Sequence, residues 1–226
     1  WHENIDHPVA TSADIDYVLE HANAVLEKPI SRKDIIGVYA GLRPLLQPGV
    51  KEGESGETAS TKVSREHTVT EVAPGLTSIA GGKLTTYRVM AADAVDFALG
   101  VEQTKVHPTC TERLALVGAA GLDEVTARSG EIARAHGWTL ARVDHLLSRY
   151  GAETQDLIEL IDAKPEYGQP LESAPAFLKA EVVWAVTHEG ALHLDDIIVH
   201  RVRLDLEHRD HGLAAADEIA EIAAPL

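Results

Sequence analysis

The stretch Ile79-Ala80-Gly81-Gly82-Lys83-Leu84-Thr85-Thr86-Tyr87-Arg88 decides how this chain is read. Before it, Pro74-Gly75 signals a turn, and residues 75–80 read as a short strand. After it, residues 84–99 read as a helix. The pattern is a strand, a glycine pair with a lysine, and a helix start carrying threonines. Glycines let a flat ligand approach the backbone closely. A helix start offers free N–H groups and the positive end of a dipole, and Lys83 adds a mobile point charge. Together these suit an anion or the electron-rich edge of a ring. The stretch fails as a phosphate-binding P-loop, because Thr77 stands where the first glycine is required and Leu84 where a hydroxyl residue is required. A plain hinge, letting a strand pack on its helix with Lys83 in solvent, fits the local pattern equally well.

Working outward, 226 residues with 45% hydrophobic composition allow one large or two modest cores. A net charge of −16 argues against general nucleic-acid binding, which needs basic surface. It equally disfavours a basic membrane patch. One cysteine, Cys110, excludes an internal disulfide framework and fits a reducing compartment. No apolar run approaches the roughly 20 residues of a membrane helix, and no signal peptide is visible. The chain begins at Trp1 rather than methionine, so a processed or partial piece is expected.

Toward the N-terminus, Thr11 with Asp14 resembles a capping box, and Ile15, Val18, Leu19, Ala22 and Leu26 recur at helical spacing up to Lys28-Pro29. Ser31 to Asp34 looks like a turn. Ile35-Ile36-Gly37-Val38-Tyr39-Ala40 is β-branched and aromatic, so a strand is expected there. It runs into Gly41-Leu42-Arg43-Pro44, where Pro44 holds Arg43 extended. An arginine so placed needs an anion or an internal carboxylate. Residues 47–60 read as a loop. In 61–72 the alternation would put Val63, Arg65, His67 and Val69 on one strand face, either solvated or facing a ligand. The helix after Lys83 is apolar nearly all round and is expected to be buried.

Residues 100–111, with His107-Pro108, read as a linker, and a domain boundary is placed between 104 and 105. From there strand signals fade. Residues 122–136, 139–150, 154–161, 176–188 and 207–223 fit amphipathic helices, and 195–200 a short helix or extended piece. The expected class is α+β: strands and a helix in residues 1–104, then an all-α bundle in 105–226. His188-Glu189-Gly190-Ala191-Leu192-His193 misses the H-E-x-x-H zinc spacing, and no metal site is expected. No G-x-S-x-G elbow exists, and Cys110 has no evident catalytic partner.

Three motifs in order carry a resemblance: Tyr39-Ala40-Gly41-Leu42-Arg43-Pro44-Leu45, Ser64-Arg65-Glu66-His67, and Gly81-Gly82-Lys83-Leu84-Thr85-Thr86-Tyr87-Arg88. With them the chain resembles the C-terminal part of the FAD-dependent, quinone-linked glycerol-3-phosphate dehydrogenases. His7-Pro8-Val9-Ala10-Thr11 and the run from Ala180 to Leu204 resemble the family's flanking segments. The resemblance implies that residues 1–104 complete a substrate cap and FAD-binding domain. Residues 105–226 would form the family's helical domain. It implies oxidation of sn-glycerol 3-phosphate to dihydroxyacetone phosphate by hydride transfer to flavin, with electrons passed to quinone. Arg43 and Arg65 would hold the substrate phosphate. Gly81, Gly82, Lys83, Leu84 and Thr85 would line the flavin, with Lys83 and His67 in the catalytic roles. The resemblance further implies an upstream FAD-binding half of the same enzyme, a homo-oligomer, and a cytoplasmic location with peripheral membrane contact. Residues 1–226 alone are expected to bind FAD poorly. Two other readings stay open: a related FAD-linked amine or hydroxy-acid oxidase, and a helical interaction module whose basic residues serve internal ion pairs.

Overall fold

The computed structural model describes residues 8–42 and 66–226. Contacts divide the described residues into two compact units. One holds residue 8, 41–42 and 66–114; the other joins 9–40 to 115–226. Arg43, Arg65 and the loop expected over 47–60 lie outside the described residues.

The first unit is a hairpin feeding a helix. Strands β1 (Thr68–Ala73) and β2 (Leu76–Ala80) pair antiparallel, with Thr68 opposite Ala80 and Thr70 opposite Ser78. The turn falls on residues 74–75, as Pro74-Gly75 predicts, and the Gly75 N–H donates to the Glu71 carboxylate at 2.9 Å. His67 sits just outside the ladder, at the foot of β1, so it does not share a strand face with Val69 as expected. Helix α2 (Tyr87–Leu99) starts three residues later than the sequence suggests, because residues 84–86 wind as a 3-10 turn. The Thr86 hydroxyl explains this. It donates to the Lys83 carbonyl at 3.0 Å and accepts from the Lys83 N–H at 3.2 Å, tightening the entry. The expected linker is partly helical: α3 (Val101–Val106) follows a turn at Gly100, where the Thr104 hydroxyl bonds the Gly100 carbonyl at 3.0 Å.

The expectation that α2 is buried is wrong. None of its residues is buried, and Val95, Phe97 and Leu99 are each about half exposed. The hairpin covers a single stripe of the helix, with Met90 reaching Gly82. The apolar remainder has no cover among the described residues.

The second unit starts with α1 (Ser12–Asn23). Its capping box is made as the sequence predicts, the Asp14 N–H donating to the Thr11 hydroxyl and the Thr11 N–H to the Asp14 carboxylate at 2.8 Å. The helix ends before Lys28-Pro29, because the Asn23 side chain bonds the Ile30 backbone in both directions. Residues 35–40 form no strand. They have no ladder to join; Gly37 instead lies so close to the Leu206 backbone that a Cβ there would stand 2.8 Å from its carbonyl oxygen.

The helical half comprises α4 (Leu122–Ala127), α5 (Ser129–His136), α6 (Leu140–Tyr150), α7 (Thr154–Ala163), α8 (Lys179–Thr187), α9 (Leu204–Glu207) and α10 (Ala216–Ala223). A π-helical turn over Asp196–Arg201 precedes α9. The helix expected over 122–136 breaks at Arg128, whose backbone leaves helical geometry. The one expected over 207–223 is delayed to Ala216 by left-handed His211 and Gly212. Thr139 caps α6 through its hydroxyl, which accepts from the Arg142 N–H at 3.2 Å.

Helix α8 is the hub of this unit. Residues 180–185 are all buried, as a helix apolar nearly all round should be. Val182 and Ala185 join a cluster with Phe177, Ile197, Leu204 and Ile219. On another side Ala180 and Trp184 join Leu146, Leu157 and Ile161. A third cluster seats Ile132 and Val143 against Ile158.

Candidate functional site

The glycine-lysine turn draws four side chains and backbones together. Gly82 is buried at φ +75°, and a Cβ placed on it would lie 2.4 Å from Met90 Sδ and 3.3 Å from the His67 Cβ. Its positive φ favours glycine, and its small size lets the strand end dock closely on α2. His67 is held from the other direction by Asp93 of α2, with Nε2 to Oδ2 at 2.7 Å. An ionised carboxylate only accepts, so in this contact Nε2 is the donor toward Asp93. The contact orients the ring and leaves Nδ1 pointing away from Asp93, the arrangement a histidine base needs. Sequence reasoning missed Asp93. Its signal is a carboxylate placed among Val89, Met90, Ala91, Ala92 and Ala94, which is costly unless it has a partner.

Gly81, also at positive φ, turns the chain out of β2. Lys83, Leu84 and Thr85 are exposed, Leu84 by 87%. Among the described residues the Lys83 ammonium has no carboxylate partner. The 3-10 turn leaves its leading N–H groups without acceptors of its own. A mobile cation, free amides and an exposed apolar side chain side by side fit the polar edge and flat face of a flavin ring. Of the expected site residues, the structure brings His67 and Gly82 into contact and places Gly81, Lys83, Leu84 and Thr85 in the same turn. Arg43 and Arg65 lie outside the described residues.

The chain is similar in fold to the glycerol-3-phosphate dehydrogenase from Bacillus halodurans, whose crystal structure is a complex with FAD. The TM-score is 0.68 at 24% identity, over 99% of this chain and 43% of that one. A family model for the C-terminal domain of alpha-glycerophosphate oxidase matches residues 109–226, just over half of the sequence, and the chain belongs to that family. The resemblance drawn from the three motifs is thus borne out at the level of family. The chain is 46% identical over its whole length to a glycerol-3-phosphate dehydrogenase of Mycobacterium leprae and 45% identical to glycerol-3-phosphate dehydrogenase 2 of Mycobacterium tuberculosis. It is 31% identical over 93% of its length to a mitochondrial glycerol-3-phosphate dehydrogenase of Arabidopsis thaliana. The chain spans 37% of the length of the mycobacterial relatives and 34% of the plant one.

Proposed function

We propose that this chain is the C-terminal part of an FAD-dependent dehydrogenase that oxidises sn-glycerol 3-phosphate to dihydroxyacetone phosphate. The observation that carries the reading is the end-to-end match with relatives of that name. The His67–Asp93 pair beside the glycine-lysine turn supports it.

Oxidising a secondary alcohol removes a hydride from carbon and a proton from oxygen, and FAD, when bound, accepts the hydride. The chain's own residues would do the rest. Arg43 and Arg65 hold the phosphate dianion through guanidinium forks. His67 takes the hydroxyl proton at Nδ1 while Asp93 holds the ring and balances the charge it gains. Lys83 and the free amides of the 3-10 turn stabilise negative charge at the ring edge. Gly81, Gly82, Leu84 and Thr85 shape the floor beneath it. Quinone as the electron acceptor, and a cytoplasmic site of action against the inner face of the membrane, belong to the same proposal. So does an upstream FAD-binding part of the enzyme, which would cover the bare apolar face of α2. Residues 1–226 without it would bind flavin poorly and lack dehydrogenase activity.

The test is an anaerobic titration of the complete polypeptide with sn-glycerol 3-phosphate, following flavin absorbance. Bleaching in wild type, weakened roughly a hundredfold in Arg43→Ala by loss of a bidentate charged contact, is the expected result. A bound flavin indifferent to this substrate would move the assignment to a related oxidase. No bound flavin would favour an interaction module.

A further inference from the structure

A second basic site lies wholly within the helical unit, far along the chain from the glycine-lysine turn. A cavity of about 340 Å³ is lined by Arg149 and Tyr150 at the end of α6, by Glu189, and by His200, Arg201 and Arg203 at the π-helical turn. That volume is in the range of small-molecule sites. The chain as a whole carries −16, so a cavity rimmed by three guanidinium groups and an imidazole runs against the charge of its surroundings.

The charges in the cavity are fixed in place and only partly matched. Arg149 donates to the carbonyls of Arg201 and Val202 at 2.8 and 2.9 Å, and the fully buried Glu181 stands 3.5 Å from its Nε. Glu207 lies 3.4 Å from its Nη1. Arg201 donates twice to the Glu189 carbonyl, at 3.0 and 2.8 Å. A carbonyl orients a guanidinium without cancelling its charge. Glu189 is the one carboxylate on the wall. Burial, its largest influence, pushes its carboxyl above the usual range and weakens it as a counter-ion, while Arg201 and Arg149 pull the other way. Arg203 is exposed and has no carboxylate partner among the described residues.

The backbone here is also unusual. Arg203 holds a left-handed conformation, φ 62° and ψ 29°, that non-glycine residues seldom adopt. It lies two residues beyond the end of a π-helical turn, across Val202, and such turns recur at functional sites. Two uncommon backbone features, separated only by Val202, deliver Arg201 and Arg203 to one cavity. Strain of this kind persists where the surroundings impose it and gathers at ligand sites.

We infer that the cavity between the end of α6 and the π-helical turn binds a phosphomonoester-type dianion, clamped by Arg201 and Arg203 over the anchored Arg149. Forked guanidinium donors match the oxygen spacing of a phosphoryl group. The dianion could belong to a soluble metabolite or to a lipid headgroup, which share this chemistry.

The experiment is calorimetric titration of the 226-residue chain with inorganic phosphate, in wild type, Arg203→Asn, and an Arg43→Ala/Arg65→Ala double variant. Asparagine tolerates the left-handed backbone, so Arg203→Asn removes the charge without refolding the turn, and an unchanged melting curve checks this. The expected result is saturable binding in wild type and in the double variant, weakened at least about tenfold by Arg203→Asn. Arg203→Lys should fall between, keeping the charge but not the fork. A parallel arm uses phosphatidylcholine vesicles with and without phosphatidic acid. Binding that needs phosphatidic acid and Arg203 assigns the dianion to a lipid; binding of phosphate alone assigns it to a soluble compound. No saturable binding up to about 10 mM phosphate, or equal binding in Arg203→Asn, overturns the inference. So does binding lost in the double variant and kept in Arg203→Asn. The substrate-phosphate role of Arg43 and Arg65 stands or falls separately, since their variants are read in the same titration.

Discussion

The chain has two phenylalanines, and they mark two kinds of region. Phe177 is fully buried in the helical unit, wedged among Val182, Ile197 and Ile219, with Arg149 over its ring face at 5.1 Å and His145 at its edge. Phe97, on α2 of the hairpin unit, is 49% exposed. The sequence around each is comparably apolar. What differs is cover. The helical unit supplies three clusters of its own, whereas the hairpin offers α2 one stripe and no more. Apolar composition says that a helix wants a partner; it does not say whether the partner is in the same stretch of chain.

Alanine at each phenylalanine tests the contrast most strongly. Phe177→Ala should cost about 3–5 kcal/mol in chemical denaturation, and Phe97→Ala less than about 1 kcal/mol in this chain. Equal costs would mean that α2 is packed after all. In the longer polypeptide proposed above, a cover over α2 should raise the cost of Phe97→Ala.

Glycines sharpen the comparison at the level of backbone. Gly151, at φ +59°, would put a Cβ 2.3 Å from the Gly118 carbonyl oxygen, a backbone atom that cannot move aside. Gly82 would meet the flexible end of Met90. Gly151→Ala should therefore be the worse of the two, with Gly82→Ala near 1–2 kcal/mol from its left-handed backbone. Hydrogen exchange should localise the Gly82 effect to β1 and β2 and leave α6 to α8 protected. A loss of protection in α8 would show that the two units unfold together.

The smallest expected effect concerns Glu189. Its carboxyl is raised above its ordinary value, chiefly by burial. Its ionised form therefore costs stability, and that cost appears as pH rises through the folded value. Glu189→Gln should be more stable than wild type at neutral pH by less than about 1 kcal/mol, because the group is only partly buried and solvent screens it. The gain should vanish at acid pH, where the carboxyl is protonated in both states. Melting curves across pH read this directly; a gain that persists in acid would assign it to packing.

Local signals were read well from the residues. The Pro74-Gly75 turn and the Thr11–Asp14 capping box each depend on one or two side chains acting on neighbouring backbone. What failed depends on distant chain. Ile35 to Ala40 has strand composition but meets the backbone of Leu206 instead of a sheet edge. The most deeply buried helix is α8, which the periodicity presents as one amphipathic helix among several. In the candidate site, His67, Gly82 and Lys83 were visible from type and order. Asp93 was not, because a hairpin and a helix must be assembled before its carboxylate meets His67. The basic cavity was invisible for a sharper reason: a π-helical turn and a left-handed arginine have no reliable sequence signature.

The chain order of the helical unit bears on its synthesis. Residues 9–40 belong with 115–226, so everything between is an excursion from that unit. The backbone of Lys33 receives its hydrogen bond from Arg209, 176 positions later. On a ribosome adding about 5–20 residues per second, the Lys33 backbone would wait roughly nine to thirty-five seconds for that partner. During this interval the turn at Lys33 lacks that tie to the rest of its unit. The nascent chain is then most open to chaperones or to mispairing, and it closes only when almost its last helix has emerged.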